Sequence, residues 1–391
     1  MTILFVFTGG GLRSVNTKKW LDLFKNDNDL RISFFLKETS EQEKEALERA
    51  YPGYRFLFFK NFSEIKNLNI YQRFKYIRAM ARQIDQLAPD IVHLQGLFYT
   101  YMVYPLFFLK NKPVFIFNIW GSDFNLHYKK HLKNTLLIRY LFKKADLIWT
   151  NWFQLGLEVK KDFLKFENKI KTIPWGVTDD LFEAVEQKKV EELRRRFKIE
   201  PHDYVLLYTR GLVPNSNHQQ LIKAIARLEA HLKFKLIIHV PKVNPDYKTK
   251  IQQLIDRFKL NEKIIWSHDY LADREMQALY AMADLSFSLT TKEQFSQTII
   301  ESILNDCHLI VNRNPAYRFL QEVFRFNIEM VDVQNTEQLA ETIKQFIVNR
   351  PEVDYGYEKM VINRLFCFSR NKAHFLQIYN ELRRRKQEKR V

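Results

Sequence analysis

Residues 285–301 read LSFSLTTKEQFSQTIIE, and the order of apolar and polar residues here indicates the class of fold. Five mostly apolar residues of strand length come first, a polar loop follows, and helical spacing begins near Gln297. A strand that runs through a short loop into a helix is the unit of an open parallel sheet, where ligands bind at the carboxyl ends of the strands. Glu293 falls in the loop and Glu301 in the helix, so we expect both carboxylates at a ligand-binding edge near a helix start that favours phosphate. The plainer alternative is a solvated loop glutamate and a helix glutamate that suits the helix dipole.

Apolar runs of strand length alternate with helical segments along the whole chain, which predicts parallel sheets covered by helices on both faces. The strand candidates are residues 3–7, 31–36, 55–59, 91–94, 114–118, 146–150, 170–173, 204–208, 235–240, 263–266, 285–288, 308–311 and 328–331. The series is interrupted after the seventh candidate by a charged helix near residues 187–197. We therefore predict an α/β protein of two Rossmann-like, doubly wound domains facing a central cleft. The domains comprise residues 1–185 and 186–365, and residues 366–391 form a terminal helix with a basic tail.

The composition bounds the class of protein. The 391 residues are enough for two or three domains with a large buried core. The two cysteines, Cys307 and Cys367, exclude a disulfide scaffold and a Cys/His metal cluster, and they fit a reducing compartment. The first residues, MTILFVFTGG, predict a buried strand rather than a signal peptide, and no apolar run reaches the length of a membrane span. We therefore predict a cytoplasmic location, in solution or peripheral on the inner face of the cell membrane.

The charge is strongly and unevenly basic. The formal net charge is +17, and residues 51–150 carry fifteen Lys and Arg against five Asp and Glu. The last residues, 383–390, add six more bases. Such a distribution favours a polyanionic partner, either an anionic membrane surface or nucleic acid. The plainer alternative is an ordinary solvated basic face.

A glycine-rich loop, Gly9, Gly10 and Gly11, follows the first strand candidate and precedes Arg13. Glycines let a backbone approach a ligand closely, and the helix start beyond them offers N–H donors. The spacing departs from Gly-x-Gly-x-x-Gly, and no acidic residue follows at the distance of a dinucleotide ribose contact, which disfavours a dehydrogenase. The loop is either a ligand-contacting turn or a tight turn without a ligand. Asp27-Asn28-Asp29, which has the spacing of some metal sites, is interpreted as a solvated turn.

Several segments, taken in order, resemble the retaining glycosyltransferases of GT-B family four, also called glycosyl transferases group 1. The most specific is Glu-x-Phe-Ser-x-x-x-x-Glu at residues 293–301. Pro-Asp-Ile-Val-His at 89–93, Gly-Ser-Asp at 121–123 and Pro-Trp-Gly-Val at 174–177 accompany it, so the resemblance covers most of the chain. It implies the GT-B fold, with an acceptor-binding first domain and a nucleotide-sugar-binding second domain. It also implies that the terminal helix crosses back to the first domain.

The resemblance implies a role for each matching residue. Glu293 would orient the donor sugar, Arg210 would neutralise the leaving diphosphate, and Asp123 would assist deprotonation of the acceptor. The ordinary alternative for Asp123 is a helix N-cap, and for His93 a satisfied structural histidine. The implied donor-binding residues are Gly10, Gly11, Phe295, Ser296, Gln297, Thr298 and Glu301. The implied acceptor-binding residues are Arg13, His93 and Trp120.

Two positions depart from the pattern of the family. Trp120 stands where the family commonly carries a histidine near the reacting centre. Neither Ser216 nor Asn217 supplies the lysine that accompanies the arginine at the diphosphate. The second departure predicts another source of positive charge, a different donor geometry or weak activity.

The implied activity is retaining transfer of a sugar from a nucleotide-sugar donor, with a UDP-sugar favoured. The acceptor would be a glycan or a lipid-linked molecule in cell-surface polysaccharide synthesis. The mechanism that the family implies requires no metal and no other cofactor, and we expect no nucleic-acid partner. Two alternatives stay open: a sugar-nucleotide epimerase of the same fold, and a non-enzymatic protein that binds nucleic acid or another polyanion.

Overall fold

The computed structural model describes residues 1–9, 15–121, 123–124, 132–240, 243–291, 293 and 296–388. Four of the predicted ligand-binding residues lie outside these ranges: Gly10, Gly11, Arg13 and Phe295. The chain divides into two compact units, of which unit 1 consists of Met1–Trp175 and Phe368–Val391, and unit 2 of Gly176–Cys367. The division falls earlier than the predicted boundary after residue 185.

Unit 1 contains a seven-stranded parallel sheet in the order β3-β2-β1-β4-β5-β6-β7. The strands are β1 (Thr2–Phe7), β2 (Arg31–Lys37), β3 (Arg55–Phe59), β4 (Ile91–Gln95), β5 (Val114–Ile119), β6 (Leu147–Thr150) and β7 (Ile170–Thr172). The helices before unit 2 are α1 (Val15–Leu23), α2 (Glu41–Ala50), α3 (Phe62–Asn67), α4 (Ile70–Gln86), α5 (Leu132–Lys144) and α6 (Phe153–Asp162), with 3-10 helices at Thr100–Phe108 and Leu164–Lys169. The strand order reverses between β1 and β4, the point at which doubly wound sheets form a binding crevice.

Unit 2 contains a six-stranded parallel sheet in the order β10-β9-β8-β11-β12-β13. The strands are β8 (Tyr204–Tyr208), β9 (Phe234–His239), β10 (Ile264–Ser267), β11 (Leu285–Ser288), β12 (His308–Asn312) and β13 (Glu329–Val331). The helices are α7 (Gln187–Arg196), α8 (His218–Ile225), α9 (Pro245–Arg257), α10 (Asp273–Met282), α11 (Gln297–Leu304), α12 (Pro315–Phe324), α13 (Thr336–Asn349) and α14 (Gly356–Phe366), with 3-10 helices at Asp179–Phe182 and Pro214–Ser216. The strand order reverses between β8 and β11.

The central strands are buried on both faces, which explains why they are continuous apolar runs in the sequence. All five residues of β8 and all four of β11 are buried. Helices cover both faces of the unit 2 sheet at these two strands, so neither set of their alternate side chains reaches water. The seven and six parallel strands confirm the predicted α/β architecture of two Rossmann-like, doubly wound domains.

The terminal helix α15 (Phe368–Glu388) belongs to unit 1. Phe375 stacks on Trp20 with ring centroids 5.5 Å apart, and both rings are fully buried. Three ion pairs join α15 to loops of unit 1: Lys372 to Asp27 at 2.5 Å, Arg383 to Asp90 at 3.6 Å and Lys386 to Asp146 at 2.6 Å. Apolar packing therefore holds the middle of α15, and partly exposed ion pairs hold its two ends.

The Asp27–Lys372 pair supports the interpretation of Asp27-Asn28-Asp29 as a turn, because a carboxylate of this segment already has a cationic partner.

Within the described ranges, no group of three or more His, Cys, Asp or Glu side chains is arranged to hold a metal ion. Among the described helices, none combines the length and apolar character of a bilayer-spanning segment.

Candidate functional site

Two strand ends meet at the switch point of the unit 2 sheet. β8 and β11 are hydrogen-bonded neighbours, and the strand order reverses between them. β8 leads into Thr209 and Arg210, and β11 leads into the loop that carries Glu293. Residues distant in the sequence therefore share the edge at which doubly wound sheets bind ligands.

Arg210 is a cation at this edge. Its Nη1 donates to the Ser296 hydroxyl at 2.9 Å, and its Nη2 donates to the Glu293 carboxylate. The Arg210 side chain is 26% exposed and the Glu293 side chain 17%, so water screens the pair only in part. Burial lowers the pKa of Arg210, but the Glu293 carboxylate opposes this and the pKa lies above its ordinary value. The guanidinium is therefore charged and anchored, and its buried Nε has no partner among the described residues.

Helix α11 begins at the same edge, with Ser296 as its N-cap residue. The first N–H groups of a helix have no partner within the helix and favour an anion. Glu301, one turn into α11, is 9% exposed and accepts from Gln297 Nε2 at 2.8 Å. The fold thus brings the predicted residues Arg210, Glu293, Ser296 and Glu301 to one end of the sheet.

Thr209 and Tyr280 belong to the same region and were missed by the sequence analysis. Thr209 Oγ1 lies 2.7 Å from Tyr280 OH and 3.4 Å from Thr298 Oγ1. Burial raises the pKa of Tyr280 well above its ordinary value, and the neighbouring Glu301 carboxylate adds to this, so the phenol is neutral. Thr209 could have been found as the first polar residue after a buried strand. Tyr280 gave no such signal because it lies inside α10.

Tyr317 is a second buried phenol at this edge that the sequence analysis missed. Its OH lies 2.6 Å from Ser288 Oγ, at the end of β11. Burial raises the pKa of Tyr317 to about 12, and the nearby Glu293 carboxylate contributes to the shift. The signal in the sequence is Asn314-Pro315, a helix start directly after β12, whose Asn314 side chain accepts from the Tyr317 N–H at 3.0 Å.

Trp120 directly follows β5, the neighbour of β4, at the carboxyl edge of the unit 1 sheet. The ring is half-buried, and its Nε1 donates to Gln95 Oε1 at 3.2 Å. Its centroid lies 5.6 Å from Phe98 and 5.2 Å from Trp175. Phe98 also fills the space beside Gly9, where a Cβ would lie 2.4 Å from its ring. This edge of unit 1 therefore has an aromatic surface at the position of Trp120, and the indole ring does not supply the proton-transferring group that a histidine would.

The Asp123 side chain is buried, three residues beyond Trp120 in the sequence. Its carboxylate accepts from four backbone N–H groups, those of Leu97, Trp120, Gly121 and Phe124, at 2.9–3.3 Å. Burial raises the pKa of Asp123 to about 6, while the four N–H groups oppose the shift. Because both carboxylate oxygens are engaged by the backbone, the contacts favour the structural, cap-like alternative over deprotonation of an acceptor.

His93 is fully buried in β4. Its Nδ1 lies 2.8 Å from Tyr379 OH on α15, and its Nε2 lies 3.2 Å from Gln95 Nε2. Gln95 Oε1 in turn accepts from Asn118 Nδ2 at 2.9 Å as well as from Trp120. Burial lowers the pKa of His93 to about 3, so the imidazole is neutral. These contacts favour the structural alternative over contact with an acceptor.

Two family models match the chain, one for each unit. Residues 3–151 match the family described as "Glycosyl transferase 4-like", and residues 189–360 match "Glycosyl transferases group 1". The chain is a glycosyltransferase, whose unit 2 matches the group 1 family and whose unit 1 matches the 4-like family. These matches disfavour the epimerase and the non-enzymatic polyanion-binding protein that the sequence had left open.

This glycosyltransferase is similar to a curated protein in sequence and to several solved structures in fold. A curated relative, mannosylfructose-phosphate synthase of Agrobacterium fabrum (strain C58 / ATCC 33970), is 26% identical over 196 residues, which are 48% of this chain and 42% of the relative. The match thus spans less than half of that relative's length. Among solved structures, HepE of Anabaena with UDP and glucose has a TM-score of 0.77 at 16% identity, covering 97% of this chain and 100% of that one. Sucrose-phosphate synthase of Thermosynechococcus elongatus has a TM-score of 0.74 at 13% identity, with 98% and 99% covered. These likenesses confirm the GT-B fold.

In this glycosyltransferase, Asn217 occupies the position of the expected lysine and forms structural hydrogen bonds. The Asn217 side chain is buried and donates to the Leu289 carbonyl at 2.6 Å and to Thr291 Oγ1 at 2.9 Å. The next residue, His218, is buried against Tyr208, and burial lowers its pKa to about 3. Asn217 therefore ties this loop to the end of β11, and His218 is neutral. No cation replaces the lysine between Gly211 and Ile222.

Proposed function

We propose that this glycosyltransferase moves a sugar, with retention of configuration, from a nucleotide-sugar donor to a glycan or lipid-linked acceptor in cell-surface polysaccharide synthesis. The observation that carries the proposal is the anchored Arg210 guanidinium beside the start of α11, at the switch point of unit 2. A planar cation and the N–H groups at a helix start are complementary to a diphosphate. A UDP-sugar is the favoured donor, since HepE, a structure of the same fold, was solved with UDP and with UDP-glucose.

Departure of the diphosphate is the step that this site would assist. Negative charge grows on the diphosphate and positive charge on the sugar ring as the bond between them breaks. Arg210 and the N–H groups at Ser296, Gln297 and Thr298 would stabilise the diphosphate, in a setting where burial strengthens electrostatic attraction. Glu293 would orient the donor hydroxyls and favour positive charge on the ring. Glu301 would accept hydrogen bonds from the ribose hydroxyls.

Retention follows in this scheme when the acceptor attacks from the face that the diphosphate leaves. An oxygen of the departing diphosphate takes the proton of the acceptor hydroxyl, so the scheme needs no protein nucleophile, metal or cofactor. The charge on Arg210 acts most strongly in the transition state, where the diphosphate charge is greatest.

The test begins with the donor. Free nucleotides and a panel of nucleotide sugars are screened for thermal stabilisation of the whole chain, since a ligand of the folded state raises the melting temperature. The stabilising donor is then incubated with candidate acceptors, and the anomeric proton of the product is assigned by NMR. A product with the anomeric configuration of the donor supports the proposal. An inverted product, or a donor sugar isomerised without transfer, contradicts it.

We further propose that unit 1 docks on an anionic membrane, which would bring a lipid-linked acceptor to the enzyme. The support is the surplus of ten positive charges within residues 51–150, beside the half-buried rings of Tyr101, Tyr104, Phe107 and Phe108. Each Lys or Arg near an anionic surface contributes about 1 kcal/mol, and salt screens the attraction. Vesicle co-sedimentation should show binding to anionic vesicles that falls at high salt. Equal partitioning onto neutral and anionic vesicles, or none onto either, would leave a soluble acceptor as the better proposal.

A further inference from the structure

A cavity of about 390 Å³ opens in unit 1 at the amino-terminal end of β5. Phe107, Leu109 and Phe115 contribute its apolar wall. Phe115 is the informative residue, because β5 lies inside the sheet between β4 and β6 and yet this side chain is only half-buried. Its neighbours Val114 and Ile116 face the opposite side of the sheet and are fully buried. The described helices therefore leave part of one face of the sheet accessible.

Three lysines line the same cavity: Lys112, Lys144 and Lys386. Lys386 is paired with Asp146, whereas Lys144 lies 5.6 Å from the centroid of the Tyr140 ring. No carboxylate is among the described residues that line the cavity. An apolar interior beside a positively charged rim is complementary to an amphiphile with a negative head group.

The cavity lies within a band of aromatic side chains on the surface of unit 1. Phe107 meets the exposed Tyr140 of α5 with centroids 4.7 Å apart, and the next residue, Phe108, meets the exposed Phe74 of α4 at 5.6 Å. Ile70 and Tyr71, at the start of α4, are 84% and 73% exposed. Exposed apolar side chains of this extent mark an interaction surface, and their basic neighbours favour a lipid bilayer over a protein of neutral surface.

We propose that the cavity binds one acyl chain of an anionic phospholipid, with the phosphate of the head group beside Lys112 and Lys144. The aromatic band then rests on the bilayer around it. This proposal names a lipid-binding site for the membrane docking proposed above, and it depends on that docking. The site is separate from the acceptor crevice, because Phe115 and the carboxyl end of β5 are about 13 Å apart at the rise of a β-strand. The cavity would thus anchor unit 1 to lipid without occupying the crevice.

The test uses a soluble probe, decanoyl lysophosphatidylglycerol below its micelle concentration, titrated into the whole chain by calorimetry and counted by native mass spectrometry. We expect one molecule bound per chain. Glycerophosphoglycerol, which has the head group without the chain, should bind at least tenfold more weakly. Absence of one-to-one binding, or equal binding of the bare head group, would overturn the proposal.

Two variants locate the probe. Lys112→Glu/Lys144→Glu changes two exposed side chains and should weaken binding about thirtyfold, from the contribution of two bases near an anionic lipid. The matched control, Lys233→Glu/Lys250→Glu on the surface of unit 2, carries the same change in charge and should bind like the wild type. Equal weakening in both variants would show a non-specific charge effect and refute the site.

A third variant tests the apolar wall. Leu109→Glu puts a charge into the half-buried wall and should abolish one-to-one binding while the melting temperature stays within a few degrees of the wild type. Thermal stabilisation by UDP should be unchanged in all three variants. A variant that loses probe binding and keeps UDP binding therefore shows that this site is separate from the donor site. If the wild type binds the probe but not UDP, the proposed donor fails and the lipid site stands.

Discussion

Acidification should destabilise unit 1 through His93. Burial lowers the pKa of this imidazole to about 3, whereas the unfolded chain has the ordinary value of 6.5. At a pH between these two pKa values, His93 is protonated in the unfolded state and neutral in the folded state. The free energy of unfolding therefore falls as the pH falls. The stabilisation is present above pH 6.5 and is lost progressively down to about pH 3. The full difference corresponds to about 5 kcal/mol, of which about 2 kcal/mol is lost between pH 7 and pH 5.

The hydrogen bonds around His93 explain why its ring resists protonation. A second ring N–H would point at Gln95 Nε2, 3.2 Å away, which is itself a donor. The Gln95 amide cannot turn over without losing the bonds that its oxygen accepts from Asn118 and Trp120. A protonated ring would therefore place two donors face to face in a site without water contact.

The variant His93→Gln removes the titrating group and keeps a side chain that can bond to Tyr379. Urea unfolding, followed by tryptophan fluorescence at pH 7 and pH 5, measures the effect in unit 1. Five of the six tryptophans lie in unit 1: Trp20, Trp120, Trp149, Trp152 and Trp175. The pH dependence of the variant should be smaller than that of the wild type by about 2 kcal/mol.

His374→Gln provides the control, because His374 lies exposed on α15 in the same unit. This variant should keep the pH dependence of the wild type. If His93→Gln also keeps it, the ring titrates normally and the reasoning from burial is refuted. A raised KM for the acceptor with an unchanged pH dependence would instead restore the acceptor-binding role.

Three further predictions concern the carboxyl ends of the two sheets. Arg210→Ala should lower kcat by roughly 10²-fold or more with a smaller change in donor affinity, because the diphosphate charge grows in the transition state; normal single-turnover rates would show that another cation holds the diphosphate. Glu301→Ala should weaken UDP binding in calorimetry by about 1–3 kcal/mol, and an unchanged affinity would remove Glu301 from the site. Asp123→Ala should lower the urea stability of unit 1 by at least about 3 kcal/mol, because four backbone N–H groups lose their acceptor; a loss below 1 kcal/mol would mean that water or another group replaces the carboxylate.

The alternation of strands and helices could be predicted from the sequence, because a strand that is buried on both faces of its sheet is a continuous run of apolar residues. The positions of Arg210 and Glu293 could be predicted for a related reason. Each lies in the loop that follows a buried strand, and the carboxyl ends of parallel strands lie at one edge. The interpretation of Asp27 as a turn residue rather than a metal ligand rested on local sequence as well, and its pairing with Lys372 supports it.

The partners of individual side chains could not be predicted in this way. His93 and Tyr379 are 286 positions apart, and only the packing of α15 against the sheet of unit 1 brings them within 2.8 Å. Arg210 and Glu293 are 83 positions apart, and the neighbouring places of β8 and β11 bring their side chains into contact. Periodicity reports how a residue relates to its own element, whereas a hydrogen bond depends on which other element lies opposite. Local sequence therefore sufficed to predict the two sheets and the loops that follow their strands. The burial and hydrogen bonds of Asp123 and His93 depend on segments that are distant in the sequence and pack together only in the folded unit 1.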